Sequence, residues 1–496
     1  MSAPHHGLTR FDQLMKACLK GEGPARPPLA QTLGRLLPAN PVQQQNIGHQ
    51  GVVDALHALA ETMRATENLD GTADAGMTFF GQFVDHDVTL DATSALGTRI
   101  DPATILNIRT PGLDLDCVYG SGPEASPHLY GGGAQHHMLV FGRQENPLDL
   151  ARTCAGTALI GDPRNDENIL IAQVQGLFIE LHNILMTKAM EGGVEAGDIR
   201  ACAHDGLPDK VWRDHVPPRL TTFEEVRRFI RLHYQWIVWN ELLPAFVDRA
   251  CLDDAMQRDI FGADAAVMPV EFTGACYRFG HATTQFEYAL TEGAQPKGLF
   301  EITGFSKRAQ AGNIDYGMFF QLAGGPAAQK ARPVAPKLGE PLFALPFVTG
   351  ETRFEDPDGQ EITLSEAQSR ILALRNMVRD RYTYQLASGQ QVAAKVGADE
   401  VEVPDALKAV GITKTPLWFY ALQEAEPSGR LTGAGGAVVA SVFANLLKRD
   451  RSTVHHLPHF QPWGQFGGQP SCLAGIIAYA AAHRGQIADP QGLMCG

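Results

Sequence analysis

The segment GQFVDHDVTLD, residues Gly81–Asp91, decides both the fold prediction and the first candidate site. Its apolar residues recur at helical spacing, which predicts a helix. On that helix Gln82 and His86 lie one turn apart and share a face. Asp85 and Asp87 flank the histidine on either side. Two carboxylates beside one histidine on an apolar helix indicate metal binding or acid–base chemistry, because buried charges need partners.

Helical spacing of apolar residues recurs along the rest of the chain, with few alternating runs. This pattern predicts an all-α fold, in which residues 1–70 form an arm packed on a single domain of residues 71–496. Residues 121–135 and 330–346 are predicted to be long loops because they are rich in Gly or Pro. The predicted helices are Phe79–Leu90, Asn168–Met190, Phe223–Phe246, Leu364–Gln385 and Val438–Leu447.

The composition is that of a folded protein, with 44% hydrophobic and 19% charged residues among 496. A formal net charge of −14 argues against binding to nucleic acid or to anionic membranes. The eight cysteines contain no CxxC pair, which argues against a zinc site and a dense disulfide framework. Five of the 496 residues are Trp, so the aromatic content rests mainly on Phe and Tyr.

Targeting features are also absent from the sequence pattern. No basic start followed by an apolar run is found at the amino terminus, so we expect a cytoplasmic protein or one exported without a classical signal peptide. No stretch is expected to span a bilayer, since the longest candidate, Gly436–Leu447, is interrupted by Ser441 and Asn445.

A second cluster, TPGLDLDCVYG, follows at Thr110–Gly120. Thr110, the carbonyl of Gly112, Asp114 and Asp116 stand at alternate positions around a turn. Calcium takes oxygen ligands of this kind, although the spacing is not that of an EF-hand. A solvated acidic turn is the alternative.

Three further segments carry polar residues that would be unremarkable alone. GDPRNDENIL at Gly161–Leu170 predicts a helix capped by Asn165 or Asp166, with Glu167 in its first turn. YRFGH ends at His281, after a glycine that lets a flat ligand approach the backbone. NMVR follows at 376–379, with its Asn and Arg three residues apart. GAGGAV at 433–438 lacks the third glycine and the preceding strand of a dinucleotide loop.

Taken in this order, the five segments resemble those of the animal-type haem peroxidases, the peroxidase–cyclooxygenase superfamily. GQFVDHD resembles the distal-histidine motif, DCVYG the end of the calcium loop, GDPRNDEN the distal arginine segment, and YRFGH the proximal histidine segment. NMVR resembles the segment that supports the proximal ligand. The resemblance covers roughly residues 70 to 450, and the tail from TPLWFYALQEAEPSGRL onward is most similar to bacterial members.

The resemblance implies a role for each of these residues. His281 would bind haem iron, Asn376 would accept its other ring proton, and Arg379 would face a haem propionate. His86 would be the distal general base, with Gln82 placing water or halide beside it.

On the distal side, the resemblance implies that Arg164 stabilises charge on the departing peroxide oxygen. Asp85 and Glu167 stand where family members form ester bonds to haem methyl groups, so the haem b is expected to be ester-linked. The implied calcium ligands are Asp87, Thr110, Gly112, Asp114 and Asp116.

The resemblance implies a haem peroxidase that uses hydrogen peroxide to oxidise small organic donors, with halides as a further option. Two departures bear on this expectation. Asn168 stands where some members carry a methionine that is linked to haem, which weakens the case for chloride oxidation. Arg278 stands where fatty-acid dioxygenases need a tyrosine, and Tyr277 is one residue away. The alternatives are a haem-dependent fatty-acid dioxygenase and a non-catalytic calcium- or haem-binding protein of the same fold.

Overall fold

A computed structural model describes residues 33–42, 45–89, 107, 112–196, 219–262, 268–356, 358–450, 452–457 and 460–494. Three predicted features lie outside these described residues: Thr110, the helix end at Leu90, and residues 1–32 of the arm.

Helices dominate the regular structure of the described ranges. The α-helices in chain order are α1 (Gly48–Thr62), α2 (Ala75–Val88), α3 (Asp116–Tyr119), α4 (Ile169–Glu191), α5 (Phe223–Ile237), α6 (Leu243–Phe246), α7 (Arg249–Gln257), α8 (Val270–Gly274), α9 (Glu366–Ser369), α10 (Leu372–Val378), α11 (Gly389–Val396), α12 (Asp405–Lys408), α13 (Leu417–Ala425), α14 (Gly433–Arg449) and α15 (Cys472–His483). Two π-helical turns cover Val238–Leu242 and Arg379–Thr383. The 3₁₀ turns are Gln45–Ile47, Pro127–Leu129, Gly133–Gln135, Pro163–Asp166, Cys276–Thr283, Leu299–Glu301, Gln310–Gly312, Tyr316–Met318, Glu340–Phe343, Val454–His456, Gly464–Phe466, Arg484–Gln486 and Pro490–Leu493.

The strands are short and pair only in twos within the described chain. They are β1 (Arg64–Ala65), β2 (Val194–Glu195), β3 (Arg219–Leu220), β4 (Glu287–Tyr288), β5 (Lys297–Gly298), β6 (Leu338–Gly339), β7 (Thr352–Glu355) and β8 (Glu361–Leu364). β1 pairs with β6 in parallel, and the pairs β2–β3, β4–β5 and β7–β8 are antiparallel. None of these ladders has a face large enough to organise a core, so the predicted all-α fold is confirmed.

Helix α4 is the centre of the core, and it packs against α2, α5 and α15. The rings of Phe83 on α2 and Phe178 on α4 stack with centroids 5.2 Å apart and planes 5° apart. Tyr234 of α5 meets the Phe178 ring edge-on at 5.8 Å. These aromatic contacts hold α2, the helix that carries His86, in a fixed position against α4.

The longest apolar helix of the described residues is α4, rather than the candidate Gly436–Leu447 chosen from the sequence. Its 23 residues, Ile169–Glu191, are long and apolar enough to cross a membrane by length and composition alone. The whole apolar window is buried inside the protein, where it forms core contacts on every side. Complete burial explains why the apolar residues are not confined to one stripe.

The predicted helix Leu364–Gln385 is broken in the structure. Leu364 ends strand β8, Ser365 caps the short helix α9, and α10 begins only at Leu372. Arg379 then opens a π-helical turn. Apolar spacing alone did not reveal these interruptions, because the buried positions of the separate pieces happen to continue one helical pattern.

The chain before residue 70 contributes directly to the core. Val53 of α1 is fully buried, and α1 packs against α10 and α12. The domain boundary at residue 70 stays a prediction.

Candidate functional site

Two hydrogen bonds fasten the YRFGH segment to helix α2. The Tyr277 hydroxyl donates to the carbonyl oxygen of Gly81 at 3.2 Å. Beyond the other end of the segment, the hydroxyls of Thr283 and Thr78 lie 2.8 Å apart. Because α2 also carries His86, about 7.5 Å along the helix axis from Gly81, the structure brings both predicted histidine segments to one region.

His86 is buried, with only 5% of its surface exposed. Its ring Nδ1 lies 2.8 Å from the amide oxygen of Asn165. Burial, and then the positive charge of Arg164, lower the pKa of His86 to about 4. The ring is therefore neutral near pH 7, and one of its two nitrogens carries a lone pair.

A chain of three hydrogen bonds determines which nitrogen that is. The carbonyl oxygen of Cys117 can only accept, so it accepts from the Gln175 amide nitrogen at 3.2 Å. The Gln175 oxygen then accepts from the Asn165 nitrogen at 2.8 Å. This leaves the Asn165 oxygen to accept from His86 Nδ1, so the lone pair is on Nε2.

Arg164 lies beside the same helix end, in a 3₁₀ turn with Asp162. Its Nη2 donates to Asp162 at 2.8 Å and to the carbonyl oxygens of His86 at 3.2 Å and Thr89 at 2.5 Å. Its Nε also donates to Asp162. Within the described part of the chain Nη1 has no hydrogen-bond acceptor, so one edge of the guanidinium remains available to a ligand.

Gln82 links the distal helix to the start of α4. Its side-chain oxygen accepts from the Asn168 amide at 3.2 Å. Its amide lies near the Glu167 carboxyl and opposes the rise in the pKa of that group. Glu167 has an exposed surface, yet the surrounding protein raises the pKa of its carboxyl.

The expected helix cap at this point was wrong. The Asn168 side chain caps α4 by accepting from the backbone N–H groups of Leu170 and Ile171. Asn165 is taken up by its bonds to His86 and Gln175. Asp166 forms a buried pair with Arg152 at 2.6 Å, so it is not free to cap the helix.

Asp85 lies on α2 one residue before His86 and is half-buried. One of its carboxylate oxygens accepts from the Thr89 hydroxyl at 2.9 Å. Its negative charge raises the pKa of the buried Tyr277 hydroxyl, after the larger effect of burial, so Asp85 lies on the side of α2 nearest the YRFGH segment.

His281 is partly accessible although the protein encloses it on most sides. Burial, followed by the charges of Arg278 and Arg379, lowers its pKa to about 3, so the ring is neutral. The Asn376 amide nitrogen lies 3.2 Å from His281 Nδ1, while the Asn376 amide oxygen is buried and has no hydrogen-bond partner. A half-turn of the amide would satisfy that oxygen with the Nδ1 proton and leave the lone pair on Nε2.

The structure brings together predicted calcium ligands from two separate segments of the chain. Asp87, Asp114 and Asp116 each offer a carboxylate oxygen, and these atoms all lie within 4.8 Å of one another. Asp87 is fully buried, and burial, then the charges of Asp114 and Asp116, raise its pKa well above its usual range. A bound cation would remove the repulsion that raises this pKa.

The backbone around the acidic cluster is specifically shaped. Leu115 has a left-handed conformation, with φ +60°, which is unusual for a residue other than glycine. Its N–H and that of Cys117 donate to Asp87 at 3.2 and 3.5 Å. A Cβ atom on Gly161 would lie 2.5 Å from the Asp116 carbonyl oxygen, so a glycine is required where the Arg164 segment crosses this loop.

The structure thus assembles the distal group, the proximal pair and the acidic cluster from separate segments. Gly112 lies in the acidic turn next to Asp114, whereas Thr110 is not described. The sequence did not identify Asn165 or Gln175 as site residues. Asn165 suggested a helix cap, and Gln175 is one polar position on a helix that is otherwise mostly apolar.

Comparisons with known proteins agree with this arrangement. The animal haem peroxidase family profile matches residues 91–345. Heme peroxidase 2 of Caenorhabditis elegans is 32% identical over 89 residues, which are 16% of this chain and 12% of that protein. Chorion peroxidase of Drosophila melanogaster is 28% identical over 197 residues, or 36% of this chain and 22% of that protein. These matches therefore span less than a quarter of either relative.

Solved structures share the fold at low sequence identity. Peroxidase A from Dictyostelium discoideum has a TM-score of 0.54 at 14% identity, covering 94% of each chain. The fatty acid alpha-dioxygenase of Oryza sativa has a TM-score of 0.54 at 15% identity, covering 92% of this chain and 81% of that one. Since the family profile matches more than half of this chain, and the structure has the same helical fold, the chain belongs to the animal haem peroxidase family.

Proposed function

We propose that this protein is a haem peroxidase that reduces hydrogen peroxide and oxidises small organic molecules. The observation that carries the proposal is the fixed Nε2 lone pair of His86, on a helix to which the YRFGH segment is hydrogen-bonded. The sequence similarity to two proteins named peroxidases supports it. The family profile begins at residue 91, so the role of His86 rests on its geometry.

The residues around His281 fit the haem that the family implies. The ring is neutral, as an iron ligand must be, and the Asn376 oxygen lacks the proton donor that a metal-bound imidazole would offer. A Cβ atom built on Gly280 meets nothing within 4 Å, so space remains beside the histidine. We assign His281 as the iron ligand and Arg379, whose charge acts on His281, as the partner of a haem propionate.

The proposed chemistry divides between haem and chain. Haem supplies the iron that binds peroxide and the electrons that reduce it. His86 Nε2 takes a proton from hydrogen peroxide and returns it to the departing oxygen, which leaves as water. The free edge of Arg164 stabilises the negative charge that develops on that oxygen. Gln82 holds water, or a halide, in line with the ring.

The organic donor is favoured over a fatty acid by two residues. Arg278 occupies the position at which a dioxygenase of this superfamily would carry its tyrosine, and its Nε donates to the Thr273 carbonyl oxygen. The Tyr277 hydroxyl is engaged by Gly81. A protein that consumed oxygen with linoleate, without peroxide or donor, would instead be a fatty-acid dioxygenase.

We further propose that calcium occupies the acidic cluster. Three carboxylates within 4.8 Å, one of them fully buried, suit a hard cation with oxygen ligands. The carbonyl of Gly112 and the side chain of Thr110 would complete the coordination. Asp87 directly follows His86, so an ion there would also hold the end of α2 in place.

Ester links from Asp85 and Glu167 to haem are the third part of the proposal. The Glu167 side chain is exposed, next to the Asn168 cap of α4, and Asp85 lies one turn after Gly81, on the side of α2 that faces Tyr277. Extraction of the protein into acidified organic solvent after turnover with peroxide, followed by intact mass measurement, tests these links. Asp85→Ala and Glu167→Ala should each release part of the bound haem, whereas haem that extracts completely from the parent protein would contradict both links.

An absorption spectrum of the haem-loaded protein tests the central proposal. We expect a Soret band that shifts on addition of hydrogen peroxide and returns when a phenolic donor is added, with two phenol molecules each oxidised by one electron per hydrogen peroxide reduced. A Soret band that does not respond to peroxide would support a non-catalytic haem- or calcium-binding protein.

A further inference from the structure

A second group of metal-ligating side chains lies away from the haem residues. His49 is in the first turn of α1, while Asp356 and Asp358 form the turn between β7 and β8. One ring nitrogen of His49 and one oxygen of each carboxylate all lie within 4.8 Å of one another. His49 and Asp356 are buried, with 6% and 4% of their surfaces exposed.

Hydrogen bonds with Tyr382 determine which nitrogen of the neutral His49 ring carries the proton. The Tyr382 hydroxyl donates to the His49 carbonyl oxygen at 3.2 Å, since a carbonyl oxygen can only accept. With its own hydrogen used, the hydroxyl oxygen accepts from His49 Nδ1 at 3.3 Å. In the neutral ring the lone pair is therefore on Nε2, which faces Asp358.

The distance between the His49 Nε2 atom and the Asp358 carboxylate bears on whether the two groups pair directly or share a metal ion. The two atoms are 3.5 Å apart. A direct charge-assisted hydrogen bond would be about 2.7–2.9 Å long. Two ligands that each lie about 2.0–2.1 Å from a tetrahedral metal ion are instead about 3.3–3.4 Å apart. The observed separation is closer to the second value.

Asp356 adds an independent observation. One of its carboxylate oxygens accepts the backbone N–H groups of Asp358 at 2.9 Å and Gln360 at 2.8 Å. Its other oxygen accepts no hydrogen bond from any described residue, although the side chain is buried. That oxygen is therefore available as a metal ligand beside His49 Nε2 and the Asp358 carboxylate.

We propose that His49, Asp356 and Asp358 bind a divalent transition-metal ion of the zinc class. An imidazole nitrogen with two carboxylate oxygens suits such an ion, and water would supply the fourth ligand. This donor set differs from that of the all-oxygen acidic cluster around Asp87, which suits calcium. Tyr382 acts as a positioning residue that orients the histidine.

The ion would join three parts of the chain that meet near the proximal residues. It would hold the start of α1 against the β7–β8 turn, and through Tyr382 against the π-helical turn that begins at Arg379. The site is independent of haem, because none of its three ligands belongs to the haem residues.

Zinc retention tests the proposal on the haem-loaded protein. A chelator first removes exchangeable metal ions and leaves the haem iron in place. The protein is then kept in excess Ca²⁺ so that the acidic cluster is occupied, incubated with Zn²⁺ and desalted, and its zinc is measured by atomic emission. The parent should retain one equivalent of zinc more than Asp358→Asn, and His49→Gln should show the same loss. Asp358 is 54% exposed, so its substitution leaves the core intact.

Two further variants sharpen the result. His57→Gln changes a half-exposed histidine on the same helix, and it should retain the parent amount of zinc. Tyr382→Phe should bind zinc roughly 10–100-fold more weakly, as is usual when a group that orients a ligand is lost. Equal zinc in the parent and Asp358→Asn would overturn the proposal, as would a loss in His57→Gln equal to that in His49→Gln.

Discussion

The two site histidines have the same protonation state for the same reason, but the protein holds them differently. Burial lowers the pKa of His86 to about 4 and that of His281 to about 3. The partner of His86, Asn165, accepts from the ring with its amide oxygen and donates to Gln175 with its amide nitrogen, and Gln175 donates in turn to a backbone carbonyl. The partner of His281, Asn376, presents its nitrogen and leaves its oxygen without a donor.

This difference indicates which of the two histidines the protein orients without bound haem. The distal base is oriented by protein hydrogen bonds alone, so its geometry should persist without haem. His281 and Asn376 use all their hydrogen-bonding and ligand atoms only when His281 carries a proton on Nδ1 and binds a metal ion through Nε2. The predictions below test this contrast.

Replacing the proximal ligand should have the largest effect. His281→Ala should lose most of the bound haem, because no other described residue stands in its place beside Asn376. Haem content, from the Soret band and the pyridine haemochromogen assay, is the measurement. A variant with full haem content and an unchanged spectrum would refute the assignment.

His86→Ala should keep its haem yet react with peroxide about 10²–10⁴-fold more slowly, since a positioned base is lost. In the parent, the same rate constant should fall only as the pH drops towards about 4, because His86 is protonated only there. Stopped-flow measurement across pH gives both results. An acid limb near the ordinary histidine pKa of about 6.5 would contradict the burial argument.

Arg164→Ala serves as the companion variant, because it removes the charge and leaves the base in place. Its peroxide reaction should slow by about 10²-fold. Its acid limb should move to higher pH, since the Arg164 charge contributes to lowering the His86 pKa.

Calcium removal should have a smaller effect on the distal half. Chelation, or Asp114→Ala, should lower the melting temperature by roughly 2–3 °C, since a ligand held at a hundred times its Kd contributes about 2.7 kcal/mol. The haem spectrum should change with it, because Asp87 adjoins His86. Active parent protein that contains no calcium by metal analysis would contradict the site.

Asn165 should give the smallest effect, and it separates orientation from acid–base strength. Asn165→Ala should slow the peroxide reaction roughly tenfold, because the ring is then free to place its proton on either nitrogen. Asn165→Asp keeps an acceptor oxygen, so it should recover much of the rate. Its negative charge stabilises the protonated ring, so its acid limb should lie at higher pH than in the parent.

Local patterns in the sequence accounted for the helices and for the residues within each motif. Gln82 and His86 share a face because helical geometry places them one turn apart. The contact between His281 and Asn376, 95 residues apart, was predictable only through the family resemblance. His86 and Asn165, 79 residues apart, have no periodicity that relates them, and their contact depends on how α2 packs against α4.

The interruption of the predicted helix 364–385 had a similar cause. Ser365 and Gln368 form a capping box, which is a local pattern, but no local pattern in the sequence marks the π-helical turn at Arg379–Thr383. Tyr382 lies in that turn and meets His49, 333 residues away. No sequence pattern relates such distant residues.

The π-helical turn has a consequence for insertions and deletions among relatives. Such a turn accommodates one residue more than an α-helical turn. Removing that residue would restore the regular helix and rotate each later side chain by about 100°. Asn376 precedes the turn and would keep its direction, whereas Tyr382 would swing away from His49. Relatives with a one-residue gap at this point should therefore keep the residues around His281 and be free to vary at His49, Asp356 and Asp358.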